Sequence, residues 1–512
     1  MKNVTIVINL SLRSIRLIVF DSKGTKIYED WLPVRTYING LSVEQDPNEW
    51  WDLLQELLAK FAKERDAKQV SAVTVTSSAL CLVGIDKKGN VLFKSLMVSD
   101  KRAISEAEEM RNSFQEVLYS GRTLKIDPSY MLPKILWKKN HDHKVFAKTS
   151  YFLSANDFLI LKLSGKIVTD TFNAQKFYYD ASSKEYPKEL LDFVGLRKAQ
   201  MPDVVDPGTV IGSVSERTAK QFPFLAKTSV VISTYDALCA LFGSSTHEDG
   251  ELNNVCGTCS SYRILTSKKG LSAPKLLEQE FLSEKLQIIG GSNNLEGGAL
   301  EWAKECYYSD IPKDDSLLYP LMEKEASEST LGANGLLFMP YLIGERLPIA
   351  DAYVRGMFFG MERFHTRKDI IRSIFEANAF QAKLMLEEFE KSGIEISAIN
   401  MSGGVAKLKL AAKIRADVLG IPVHVLSEVE TTALGAFILT QKGIGSFKSI
   451  RDGRHLVKIK ETYLPNMHNH NCYASLLMLY KDLYTANSSI FKKRHEVFER
   501  VMHYQRKVLE NL

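Results

Sequence analysis

The sequence predicts an α/β protein built as two domains of similar architecture, and three observations carry that expectation. Short β-branched apolar runs alternate with longer amphipathic segments along the whole chain. A strand, polar turn and strand over residues 4–21 return roughly 245 residues later over residues 252–266, with Gly257-Thr258 standing where Ser11-Leu12 stood. At 512 residues the chain is also longer than one hydrophobic core sustains. The expected domains are residues 1–246 and 247–512.

Taken in order, residues 4–8 and 14–20 read as strands joined by a turn at 9–13, and residues 26–31 as a third strand after Asp21-Ser22-Lys23-Gly24. Asp46 is a fair N-cap with Pro47 in the first turn, and apolar residues recur from Trp50 to Phe61 as on a helix. Residues 70–75 and 80–85 read as buried strands, 104–114 and 134–138 as helices, and 156–163 as a helix stopped by Gly165. In the second half, 368–389 reads as a long amphipathic helix and 398–402 as a strand before Gly403-Gly404. Then follow a helix over 408–419, a strand over 422–426, an Ala-rich helix over 431–440 and a basic helical tail over 473–504.

A net charge of +5, spread along the chain, points to neither nucleic acid nor an anionic membrane surface as partner. The six cysteines are scattered; Cys256 and Cys259 are two residues apart, but no second pair completes a zinc site. They are expected to be reduced thiols of a cytoplasmic protein. Arg13 and Arg16 break the apolar N-terminus, against export, and no run reaches the ~20 apolar residues of a membrane helix.

The stretch 229–263 carries the first chemical signal. Val230-Val231-Ile232 reads as a strand, Ser233-Thr234-Tyr235 as a turn, and Asp236 starts an Ala/Leu-rich helix that runs to Gly243. A second strand then ends at Gly257-Thr258. A carboxylate at a helix start suits either a proton acceptor or an N-cap. A Gly-Thr turn suits either phosphate binding or a plain hairpin. The strand, Gly403-Gly404 and helix unit leaves helical amides for a nucleotide.

Several stretches together resemble the FGGY family of carbohydrate kinases. They are Ser402-Gly403-Gly404-Val405-Ala406-Lys407 with Ile414 through Val423, Gly344-Glu345-Arg346-Leu347-Pro348, Arg355-Gly356-Met357-Phe358-Phe359-Gly360, and Thr431-Thr432-Ala433-Leu434-Gly435-Ala436. The resemblance implies two actin-like (RNase H-like) domains with an interdomain cleft, and ATP with Mg2+ as cofactors. It implies a sugar or polyol substrate, and a homodimer is compatible with it. Asp236 matches the family's catalytic base. Gly257 and Thr258 match its second phosphate loop, while Gly298, Gly404, Lys407 and Leu408 match positions on the nucleotide. Asp157, Asp170 and Asn173 match family positions read as helix caps and turn residues.

Two places depart from the family pattern. In the first phosphate loop Asn9 stands for the Asp that helps to place magnesium, Ser11 for Gly and Leu12 for Thr, while Ser14 and Arg16 keep the pattern. Asn brings an oxygen but no negative charge to a hard cation, and Ser restricts a backbone that Gly leaves free. Arg13 is new; it reads either as a guanidinium for the β- or γ-phosphate or as a solvent-facing turn residue. In the acceptor pocket, Ser78-Ala79-Leu80-Cys81 and Ala237 replace more polar residues, and Val98 replaces an aromatic before Asp100 and Arg102. An altered sugar pocket changes the substrate or weakens its recognition. Two functions follow as expectations: an ATP-dependent kinase of a sugar, ketose or polyol, or a degenerate pseudokinase acting as a nucleotide or sugar sensor or partner subunit.

Overall fold

The computed structural model describes residues 4–510, apart from 65–69, 115–117, 120–121, 124–125, 246–249, 269–270, 272, 274, 313 and 429. Within the described helices and strands, side chains at 118, 119, 122, 123, 503 and 505–510 are likewise outside the description. The expected domain boundary at 246/247 lies outside the described residues.

The first compact unit comprises Met1–Gly243, Glu280–Lys285 and Thr431–Leu456. Its main sheet contains β1 (Val4–Leu10), β2 (Ser14–Phe20), β3 (Lys26–Pro33), β4 (Val70–Ser77), β5 (Val210–Ser213) and β6 (Ser229–Ile232). Their order is β5-β6-β4-β1-β2-β3. β1 and β4 are buried along nearly their whole length, as expected of central strands covered on both faces. On one face lie α1 (Pro47–Glu64) and α3 (Ala155–Ser164), whose Trp50, Leu54, Phe158 and Leu159 enter the core with Ile6, Ile8 and Val73. α3 starts at a capping box between Ser154 and Asp157 and stops at Gly165, whose φ of 76° is left-handed. Asp170 caps the next short helix through the amides of Phe172 and Asn173, so both acids serve as caps. Between α1 and α3 in sequence, α2 (Met131–His141) packs with Leu82, Leu96 and Phe152 in a separate apolar cluster.

The second unit comprises Ser244–Gln279, Leu286–Glu430 and Val457–Leu512. Its sheet contains β7 (Glu251–Cys256), β8 (Ser260–Thr266), β9 (Leu277–Phe281), β10 (Leu286–Ser292), β11 (Ala398–Ser402), β12 (Val423–Leu426) and β13 (Ile459–Tyr463), in the order β9-β10-β8-β7-β11-β12-β13. From β10 to β13 the pairings run antiparallel, antiparallel, parallel, parallel, antiparallel. From β3 to β5 across the first sheet they run in the same sequence. The repeat seen in the residues therefore extends over six strands of each sheet.

The compact units divide the chain differently from the expected domains, since residues 280–285 and 431–456 cluster with the first unit. The reason is α8 (Thr431–Gly443), a helix apolar on nearly all sides, which needs cover on more than one face. It finds that cover against β1 and β4. Phe437 meets Phe20 with ring centroids 4.9 Å apart, and Gln441 donates to Thr5 Oγ1 at 2.9 Å. Among the helices that precede α8 are α5 (Gly297–Tyr307), α6 (Arg367–Lys391) and α7 (Lys409–Leu419), and α9 (Met467–Glu510) follows it. Among the described residues no helix is long and apolar enough to cross a membrane.

Candidate active site

In the first unit, β6 ends at Ile232 and the turn Ser233-Thr234-Tyr235 is buried, whereas Asp236 is half-buried at the first position of α4 (Asp236–Ser244). Asp236 Oδ2 accepts from Ser78 Oγ at 3.2 Å, and Oδ1 accepts from the amide of Ala237 at 2.7 Å. Ser78 follows directly on β4, the neighbour of β6, so adjacent parallel strands deliver both residues to one edge of the sheet. α4 is itself fixed by a very close helix crossing. A Cβ on Gly435 of α8 would stand 1.7 Å from the carbonyl oxygen of Cys239, so only glycine fits.

The loop between β1 and β2 is closed from within. Ser11 donates its amide to Ser14 O at 2.9 Å, and Ser11 Oγ accepts from the amides of Ser14 at 3.1 Å and Arg13 at 3.4 Å. Ser11 is not among the residues with positive φ, so the expected backbone restriction by this side chain does not arise. Leu12 and Arg13 are exposed, Ser14 is buried and Arg16 is half-buried on β2. Asn9 Oδ1, at the end of β1, is buried without a protein partner.

In the second unit the expected nucleotide positions converge at the ends of β7 and β11. The carbonyl of Gly257 accepts from Gly297 N at 3.0 Å, and that of Thr258 from Glu296 N at 2.8 Å and Gly298 N at 3.0 Å. Gly403, with φ of 89°, lies so close to β7 that a Cβ would stand 2.4 Å from Cys256 O. No described atom lies within 4 Å of where a Cβ on Gly404 would stand, which leaves an open place beside the backbone. Thr258 and Lys407 are exposed at the same edge.

Beneath this loop lies a buried ion pair. Arg415 of α7 donates to Glu296 Oε1 at 2.5 Å, to Asn254 Oδ1 at 2.7 Å and to Cys256 Sγ at 3.1 Å. Both partners are within 1% of full burial. Burial by itself would lower the Arg415 pKa, but the Glu296 carboxylate outweighs it and the guanidinium is held charged.

Residues 4–243 match the FGGY family of carbohydrate kinases, N-terminal domain, and residues 252–442 match its C-terminal domain. The chain belongs to the FGGY family of carbohydrate kinases. A xylulose kinase of Bacillus subtilis is 27% identical over 449 residues, covering 86% of this chain and 88% of the relative. A glycerol kinase of Saccharolobus islandicus is 27% identical over 438 residues, covering 83% and 85%. The crystal structure of a ligand-bound xylulose kinase from Lactobacillus acidophilus superposes with a TM-score of 0.86 at 22% identity, covering 96% of this chain and 99% of that one. The fold is thus that of the two-domain, actin-like FGGY kinases, and the protein is a carbohydrate kinase, a phosphotransferase.

Several expected FGGY site residues are placed otherwise than the motif suggests. Leu408 is 8% exposed and its side chain joins the second unit's core. At Gly298 the absent side chain makes room for Leu295, whose Cδ1 would stand 2.4 Å from a Cβ. Asp100 is fully buried, and its carboxylate accepts from the amide of Val43 at 2.8 Å and from Arg102 Nε at 2.9 Å. Arg102 bonds Glu44 and Ser42 as well and lies over the Trp137 ring at 4.8 Å. This pair ties residues 42–44 to the turn at 97–102. Ala79, Leu80 and Ala237 are half-buried and neighbour Ser78 and Asp236 in sequence.

Two features escaped the sequence reading: the Glu296–Arg415 pair, and Lys134, a fully buried lysine on α2. Lys134 carries a visible signal, a charge inside the apolar run Met131-Leu132-Pro133-Lys134-Ile135-Leu136. Of the cysteines, Cys81, Cys239 and Cys256 are buried, and burial pushes each thiol up to about 12, whereas Cys259 and Cys306 are exposed.

Proposed function

We propose that this protein transfers the γ-phosphoryl group of ATP to a hydroxyl of a ketose or polyol, with Asp236 as general base. The observation that carries the reading is the half-buried Asp236 carboxylate at the start of α4, oriented by Ser78 and its own helix amide. When bound, ATP would supply the phosphoryl group, and Mg2+ would supply positive charge to offset that of the phosphates. Asp236 takes the proton as the acceptor hydroxyl attacks, and Ser78 keeps the carboxylate plane aimed. Thr258 offers its hydroxyl to phosphate. The open backbone at Gly404 fits an adenosine, and the orphaned oxygen of Asn9 fits a water of a hydrated Mg2+. The xylulose and glycerol kinase relatives point to a ketose or polyol as acceptor. The apolar residues around Asp236 favour an acceptor with fewer hydrogen-bonding demands on that wall.

Coupled detection of ADP over a panel of ketoses, polyols and sugar acids tests the reading. Asp236→Asn is expected to lower kcat by at least about 10²–10⁴, the usual contribution of a positioned base, while ATP affinity by calorimetry stays within about twofold. Normal turnover in this variant would remove Asp236 from the reaction. One observation favours a second reading, a pseudokinase that senses nucleotide or sugar. Ser11 consumes the amides of the first phosphate turn. ATP binding without ADP release on any acceptor would select it.

A further inference from the structure

We propose that Lys134 is a positioning residue for acceptor binding, its ammonium tying together the two loops that wall the Asp236 pocket. The inference rests on the kinase reading of that pocket. Lys134 Nζ donates to the carbonyl oxygens of Leu80 at 2.7 Å, Met97 at 2.7 Å and Leu96 at 3.5 Å, with no carboxylate among these acceptors. Leu82 and Leu96 pair across two antiparallel strands, so the loop entering the first and the loop leaving the second share one end. The first loop runs Ser78-Ala79-Leu80-Cys81 and includes the donor to Asp236. The second continues through Val98 to Asp100.

A plain core position would not call for a lysine, because an apolar side chain fills such space without desolvating a charge. Here three main-chain carbonyls turn inward on the ammonium, and an apolar side chain would take that donor from all three, although Met97 O keeps the amide of Asp100 at 3.0 Å. Leu80 has a φ of 63°, a left-handed conformation that a leucine rarely adopts. Its carbonyl accepts from the ammonium at 2.7 Å, so Lys134 keeps a strained residue in place two positions from Ser78. The ammonium therefore sets the loop that aims the base.

Burial lowers the Lys134 pKa to about 8, with Cys81, Asp100 and Asp127 raising it and Lys101 lowering it further. Deprotonation removes one N–H and the charge that strengthens the remaining two bonds. Acceptor kcat/KM should then fall as pH rises through about 8. The stability contribution has the opposite sign. A lysine whose folded pKa lies below its unfolded value of 10.5 destabilises less as pH rises from 8 to 10.5, so loss of folding does not produce this limb.

The test compares wild type, Lys134→Met and Lys134→Gln by acceptor and ATP kinetics, pH profile and hydrogen exchange of the free protein. The expected result for Lys134→Met is a rise of about tenfold or more in acceptor KM, or an equal loss in kcat/KM, with ATP KM within about twofold. The limb near pH 8 should disappear in both variants, and exchange should quicken in residues 78–81 and 96–100 before other segments. Equal damage to both substrates, unchanged exchange in those loops, or a wild-type profile flat through pH 8 would overturn the proposal. Should Lys134→Met not fold, the Gln variant and the wild-type profile decide it. If wild type phosphorylates nothing on the panel, the kinase reading fails by itself, and the exchange comparison still decides whether Lys134 holds the loops.

Discussion

Asn9 Oδ1 is buried without a protein partner, and an orphaned oxygen of that kind costs roughly 1–3 kcal/mol unless water or a ligand meets it. Replacing it with a carboxylate sharpens the question of what it faces. Asn9→Asp puts an uncompensated charge at a position 7% exposed, so thermal stability should drop in EDTA. Mg-ATP should restore more stability to this variant than it adds to wild type. Equal Mg-ATP shifts in both proteins would place Asn9 away from the cation. At this scale the sequence was partly legible. Asp236 stood out because an apolar run stops and a helix begins at one acid. Ser11 misled, because the motif counts it as a lost glycine while the folded turn uses its hydroxyl to close on Ser14. Leu408 and Asp100 misled for a related reason, since a motif position says nothing of which way its side chain is spent. Lys134 bonds main-chain carbonyls 54 and 37 positions away, and such acceptors leave no trace in residue identity.

α5 begins under the Gly257-Thr258 turn, and its first amides hold that turn's carbonyls instead of facing solvent. The turn's shape thus depends on where α5 sits, and α5 is anchored by the Glu296–Arg415 pair to α7 and, through Asn254 and Cys256, to β7. Breaking one side leaves a buried charge. Arg415→Met should cost about 3–5 kcal/mol, read as a fall in the denaturation midpoint. Adding Glu296→Gln should recover part of it, since the orphaned carboxylate is then gone. A single variant as stable as wild type would mean that the pair carries little. Most element positions were read correctly within a few residues, because strand runs and helix caps are local signals. The ion pair joins elements 119 residues apart, beyond the reach of any local pattern.

The two sheets share one order of parallel and antiparallel pairings, and that repeat was visible as two similar hairpins. The membership of α8 was not. An Ala-rich apolar helix near the end of the chain reads as part of whatever surrounds it in sequence, whereas its largely apolar surface decides where it packs. A fragment of residues 1–246 should therefore be poorly soluble or molten, with an exposed apolar face over β1 and β4. Adding a peptide spanning residues 431–456 should bind it and restore a cooperative melt. A soluble, cooperatively melting 1–246 fragment would contradict this. The same feature governs how the protein is made. Between Gly243 and Thr431 the ribosome adds the 187 residues 244–430. At common elongation rates this interval lasts roughly 10–40 s. Throughout it the nascent first unit carries the bare β1–β4 surface, so this chain should depend on chaperone occupancy during translation, most of all when elongation is slow.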